Sequence, residues 1–139
     1  MDDTTLTITL AQLLADGTGW PWRPTGPAYD PSEVGIYYGA IAPAPDQGVG
    51  LRVYYADDPH PVGVRVRRVQ LRFRGARNDP ASADTLAAAA FTALHGLARV
   101  AGLSLVTRVL VAQLGTDESA RQERADSYQI ILDNPEASS

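Results

Sequence analysis

The sequence predicts an α+β fold: two helices packed on one face of a largely antiparallel sheet of four to five strands, with a mixed sheet as the alternative. Three observations carry this. Two segments repeat leucine and alanine at helical spacing. Several others alternate apolar and polar residues as strands do. Most connections between them are short and rich in Gly, Pro, Asp and Ser, as hairpins are. At 139 residues the chain is expected to form one domain over 1–139, long enough to bury a core without staples.

The first predicted helix runs from Leu6 to Ala15, with Leu10, Leu13 and Leu14 on one face and Thr9 and Gln12 at capping-box spacing. Asp16-Gly17 is expected to end it. Residues 17–31 form a Gly/Pro-rich arm or loop carrying Trp20, Trp22 and Tyr29, aromatic side chains that need a surface to pack on. Val34, Ile36 and Tyr38 alternate as one strand; Leu51, Val53 and Tyr55 alternate as the next, after the turn-forming stretch Ala42–Gly48. Val64 to Arg74 is the strongest strand pattern. Its phase slips at Arg67-Arg68, which predicts a β-bulge there and sends Arg68, Gln70, Arg72 and Arg74 to the outer face.

Asp79 is placed as N-cap and Pro80 as first residue of the main helix, whose stripe is Leu86, Ala90, Phe91, Leu94 and Leu97. His95-Gly96 falls near its end and Gly102 marks the exit. Leu103 to Leu114 is apolar on both faces, as in a central or interface-buried strand. A turn over Gly115–Ala120 leads to a last strand near Ala125–Asp133, and 134–139 is expected to fray.

Composition narrows the function classes. The absence of cysteine excludes disulfide scaffolds, cysteine zinc sites and thiol catalysis. Two histidines, His60 and His95, are too few for a histidine-built metal centre. No apolar run reaches the roughly 18 residues of a membrane span, and the acidic start is no signal peptide, so a soluble intracellular protein is expected. A net charge of −4 argues against a general nucleic-acid coat. All 12 basic residues are arginine. A GC-rich genome accounts for that without function; selection for bidentate arginine contacts is the alternative.

No enzyme signature emerges. His60, in Asp57-Asp58-Pro59-His60-Pro61, reads as part of a solvated loop rather than a metal site, and His95 suits a helix C-terminus. There is no Gly-x-Ser-x-Gly elbow. The glycines at 35, 39, 48 and 50 do not open a helix, so they hold no phosphate. Residues 115–120 lack the ligand spacing of a calcium loop and read as a hairpin turn. No cofactor and no metal is implied. The row Arg68, Arg72 and Arg74 leaves three readings open: a solvated face, a protein interface, or a nucleic-acid surface.

Several segments together resemble the tail terminator proteins of long-tailed bacteriophages, including forms called tail completion or minor capsid proteins. They are the N-terminal helix with the strand pair joined through Pro45–Leu51, the strand Gly63–Gly75 leading to the helix Asp84–Leu97, and the closing hairpin from Leu114 through Arg121, Glu123 and Arg124 to Tyr128. Family members often carry Asn-Gly in that last turn; Ser119-Ala120 stands there in this chain.

The resemblance implies a structural virion protein of the neck, assembled as a ring, typically of six, on the last ring of the tail tube. Such a ring stops tube polymerisation and presents the head-joining surface. The implied partners are further copies of the chain, the tail tube protein and a head-closure or connector protein. DNA would pass through the lumen without specific binding, and the acidic net charge suits that. Assembly would take place in the host cytoplasm. Candidate subunit or tube contacts are Arg68, Arg72, Arg74, Asp117, Glu118, Arg121 and Arg124, with arm contacts from Trp20, Trp22 and Tyr29. Two other readings stand beside this one: a head-closure or connector subunit on the portal side, and a non-viral domain binding a small ligand under the arm aromatics.

Overall fold

The computed structural model describes residues 1–59 and 62–133; His60 and the expected frayed tail 134–139 lie outside them. The elements are α1 (Asp3–Thr18), β1 (Gly35–Tyr38), β2 (Gly48–Asp57), β3 (Val66–Arg77), α2 (Ser82–Leu94), β4 (Ala98–Val100), β5 (Leu103–Thr116) and β6 (Arg121–Leu132). They build one six-stranded sheet in the order β1-β2-β3-β6-β5-β4. That is one strand more than the upper expectation, and the sheet is mixed: β1 pairs with β2 in parallel, while every other pair is antiparallel. The connection 39–47 is therefore no hairpin. It returns the chain to the start of the neighbouring strand.

Helix α1 is longer at both ends than its leucine pattern suggests. Asp2, not Thr9, is the N-cap and accepts a hydrogen bond from the Thr5 amide at 2.7 Å. Gly17 does not end the helix but lies within it, facing α2: a Cβ there would come within 2.6 Å of the Ala93 side chain. The helix ends at Gly19, whose φ of 82° is the left-handed cap and whose N–H donates to Ala15. Leu6, Leu10 and Leu14 are fully buried, each contributing about 1.5–3 kcal/mol. Helix α2 starts three residues after Asp79, with Ala81 as an N-cap lacking a side-chain bond; Asp79 accepts instead from the Ala81 amide. Its buried stripe is Ala83, Leu86, Ala87, Ala90 and Leu94, and Phe91 is only half-buried.

Both helices cover one face of the sheet, α1 over β1 and β2 and α2 over β3, β6 and β5. Val69, Leu71 and Phe73 of β3 and Tyr128, Ile130 and Leu132 of β6 fill the layer between. The phase slip at Arg67-Arg68 is not a bulge in β3, whose register with β6 runs unbroken from Val66 to Arg74. Arg67 faces inward and is buried, held by Asp3 at 2.8 Å and Asp58 at 2.7 Å. The bulge belongs to β2, where Tyr54 is the extra residue between Val53 and Tyr55.

Strand β4 follows α2 directly, and a tight turn with Ala101 and Gly102 both at positive φ returns the chain into β5. Gly102 thus marks a hairpin, not the helix exit. Strand β5 is not central. It lies second from the edge, and β4 covers only its first residues.

Candidate assembly surface

The two long edges of the sheet are stepped. On one side β1 reaches only as far as Tyr38 opposite Leu51, with one further bond from the Gly39 amide to the Leu51 carbonyl. Beyond it, Arg52–Asp57 of β2 finds no strand on its outward side among the described residues. On the other side β4 and the residues before it occupy β5 as far as Val106, and the Arg108 amide donates to His95 Nδ1. Val109–Thr116 then has no backbone partner on its outward side among the described residues.

Both free stretches carry exposed apolar side chains. Leu110 is 58% exposed, and Val109, Val111 and Leu114 are exposed beside it; across the sheet Tyr54 is 51% exposed with Tyr55 next to it. Val109–Thr116 contains no charged residue. Unblunted edges of this kind are templates for pairing with another chain. Three register breaks in β5, at Ser104, Val109 and Leu114, bend the strand along its length.

The arginines predicted as one row do not act as one. Arg68 is half-buried, lies over the Tyr55 ring and reaches Gln129 at 3.4 Å. Arg72 is exposed and pairs with Glu123 at 3.2 Å. Arg74 is buried. It donates to the carbonyls of Asp46, Ala42 and Pro45 at 2.8, 2.6 and 2.8 Å, so it clasps the 39–47 connection onto the outer face. It lies on the outer face, as the alternation predicts, but the connection covers it, so of the three readings the solvated face does not hold for Arg74.

The closing hairpin is tied inward as well. Arg121 bonds Asp117 at 2.8 Å, Pro43 at 2.9 Å and Asp46 at 3.2 Å. Asp46 is held below the usual carboxylate range, first by Arg77 and then by Arg121. Arg124 points to the helix side. It bonds the fully buried Asp126 at 2.7 Å and Asp84 at 3.0 Å, and Arg108 meets the same Asp126 while its guanidinium covers the Phe91 ring. Of the predicted contact residues, Arg72 and Glu118 remain on the exposed surface.

The arm is ordered by polar bonds rather than by its tryptophans alone. Arg23 forms a bidentate pair with Glu33 at 2.7 and 2.9 Å, and the Tyr29 hydroxyl donates to the Ile36 carbonyl at 2.7 Å. The Arg23 guanidinium, with help from the Asp30 amide, lowers the Glu33 carboxyl from its ordinary value. Trp20 and Trp22 both pack against the core, and Trp22 and Tyr29 also line a cavity of about 270 Å³ with Ile8, Tyr37 and Tyr38.

The stepped edges escaped the sequence reading. The available signal was Leu103–Leu114 being apolar on both faces; what it lacked was β4, three residues long and carrying no pattern of its own.

Among the described residues no group of three or more His, Asp or Glu side chains is placed to hold a metal ion. No helix there is long and apolar enough to cross a membrane. Compared with protein-family models, residues 12–134 match the model described as bacteriophage tail terminator protein. Among solved structures, a chain in the virion of a native gene transfer agent particle superposes with a TM-score of 0.54. It covers 90% of this chain and 84% of that one at 16% identity, a likeness of fold. No curated protein matches the sequence.

Proposed function

Because the chain belongs to the bacteriophage tail terminator family, we propose that this structural virion protein assembles as a ring of six on the end of the tail tube. There it stops tube polymerisation and offers the head-joining surface. The observation that carries this reading is the family match over 12–134, nearly the whole chain. The uncovered apolar stretch of β5 supports it, since a subunit that buries this edge on assembly gains stability from its neighbours.

The mechanism is steric. One side of the ring reproduces the contacts a tube subunit makes, the other does not, and growth stops. Further copies of the chain, the tail tube protein and a head-closure or connector protein are its partners, and DNA passes through the lumen. Arg72, paired at the surface with Glu123, and Glu118 are the predicted contact residues exposed to meet the tube.

Deleting the gene and imaging the particles by electron microscopy tests this. Overlong tails without heads, rescued by restoring the protein, are the expected result. Tails of normal length beside heads that leak DNA would move the protein to the portal side of the neck. Intact infectious particles would end the reading, and the cavity under Trp22 and Tyr29 would then direct the search toward small ligands.

A further inference from the structure

We infer that adjacent subunits join edge to edge, the free stretch Val109–Thr116 of β5 in one copy pairing antiparallel with the free stretch Arg52–Asp57 of β2 in the next. The inference rests on the ring reading above for its biological setting, but its argument is geometric.

Directions agree. Strand β2 is antiparallel to β3, β3 to β6, and β6 to β5, so β5 runs opposite to β2. Two copies laid side by side in the same orientation therefore bring β5 against an antiparallel β2, the more stable pairing.

The steps also fit. Through the register, Ala112 in the middle of the β5 stretch is level with Gly50 of β2, whereas Tyr55 in the β2 stretch is level with Thr107. The two free stretches lie at diagonally opposite corners of the sheet, offset by four ladder positions, Ala125 to Gln129 on β6, roughly 13 Å at about 3.3 Å per residue. A neighbour shifted by that amount along the strand slides past β4 at one corner and brings its own β1 beyond the end of β5 at the other. The joint is a lap joint. A constant shift from copy to copy is what a closed wall of tilted strands requires, and the three bulges of β5 supply curvature.

Chemistry favours a second copy as the occupant. The exposed apolar side chains lie on both free stretches, Val109, Leu110, Val111 and Leu114 on one and Tyr54 and Tyr55 on the other, so pairing them removes apolar surface of both copies from water. The β5 stretch is uncharged and repels nothing. Pairing β5 with β5 about a two-fold axis would leave the tyrosine edge uncovered. Pairing β5 with β2 is heterologous, the kind of contact that closes rings.

Cysteine cross-linking tests it in a chain that has no cysteine of its own. Tyr55→Cys and Ala112→Cys, both on the outer face, are combined in one chain and treated with a short bismaleimide, on purified protein and on particles. The expected result is a ladder of covalent multimers from the double variant and none from either single variant. A covalent dimer from A112C alone would show β5 meeting itself and overturn the inference. So would rings, on tails or in solution, that give no ladder, and so would protein that stays uncross-linked in both settings. Leu110→Lys, at an exposed position, is expected to keep the fold by circular dichroism and shift the chain to monomer; full assembly of that variant also overturns it. The two readings fail separately: a ladder together with normal tails in the deletion strain keeps the joint and ends the terminator role, and overlong tails without a ladder do the reverse.

Discussion

The Arg74 guanidinium donates to the Pro45 carbonyl across 2.8 Å, joining the outer face of β3 to the connection between β1 and β2. Two more carbonyls, from Ala42 and Asp46, complete the clasp. Arg72, two residues away on the same face, pairs with Glu123 and keeps half its side chain in water. Neighbouring arginines on one strand face thus do different work. Replacing Arg74 with Met strips a charged donor from three partly buried carbonyls and is expected to cost about 2–4 kcal/mol in urea denaturation. Arg72→Glu is expected to stay within about 1 kcal/mol of the parent, as an exposed site allows. Arg72 is therefore the residue whose charge reversal reports on tail attachment; reversal at Arg74 would report on the fold. Equal stability of the two variants would contradict the clasp.

These positions also show what sequence reading can reach. Alternation placed Arg68, Arg72 and Arg74 on one face correctly, because strand period is a local property. It could not show that a loop bound 28 to 32 residues earlier in the chain covers Arg74 and not Arg72. The slip at Arg67 is visible too, but its cause is an inward-facing, buried guanidinium held by two half-exposed carboxylates, Asp58 and Asp3, the latter 64 residues away, rather than a bulge in β3. The main helix and the pattern of β6 were legible from apolar spacing. Strand β4 was not, since Ala98-Arg99-Val100 has no period to detect and pairs only because α2 ends beside β5. The candidate site suffered most: an unpaired edge is a property of what lies next to a strand, and only its apolar content is written in the strand itself.

The last hairpin turn carries a removable strain. The Ala120 amide donates to the Asp117 carbonyl, Asp117 accepts from the Ser119 and Arg121 amides, and Ala120 sits at φ 59°. This is a turn followed by one left-handed residue, the place where glycine is favoured. A Cβ in that conformation costs roughly 1 kcal/mol. Ala120→Gly is expected to raise stability by about 0.5–1 kcal/mol, part of the gain being offset by the freedom glycine has when unfolded. Thermal unfolding followed by circular dichroism would read this as a rise in Tm, and a fall would mean the strain is absent.

Acid should loosen the arm. Arg23, aided by the Asp30 amide, depresses the Glu33 carboxyl below its ordinary range near 4. A depressed carboxyl contributes stability that is complete above its unfolded value and is lost as pH falls through its folded value. The parent is expected to hold its stability from pH 7 to about 5 and to lose part of it below about 4. Glu33→Gln is expected to be less stable than the parent at pH 7 and to converge with it near pH 3. Tryptophan fluorescence of Trp20 and Trp22 during urea titrations at several pH values follows this. Curves for the two proteins that stay parallel down to pH 3 would show that Glu33 is not the titrating group.

The close approach at Gly50 gives the sharpest steric test. A Cβ built there would lie 1.9 Å from the Gly39 carbonyl oxygen, which is backbone and has no rotamer to swing aside. The Gly39 amide is meanwhile fixed by its bond to Leu51 at 2.7 Å. Gly50→Ala must therefore push the end of β1 away from β2 and slacken the connection that Arg74 clasps. An overpacked contact of this kind costs about 2–3 kcal/mol. Gly19→Ala offers a comparison, since no atom lies within 4 Å of its Cβ position and the cost there is the positive φ alone. Amide hydrogen exchange separates the two effects. Gly50→Ala should speed exchange at Gly39 and along β1, whereas Gly19→Ala should leave both unchanged; unaltered protection at Gly39 in the Gly50→Ala protein would mean that the connection does not lie against β2 as described.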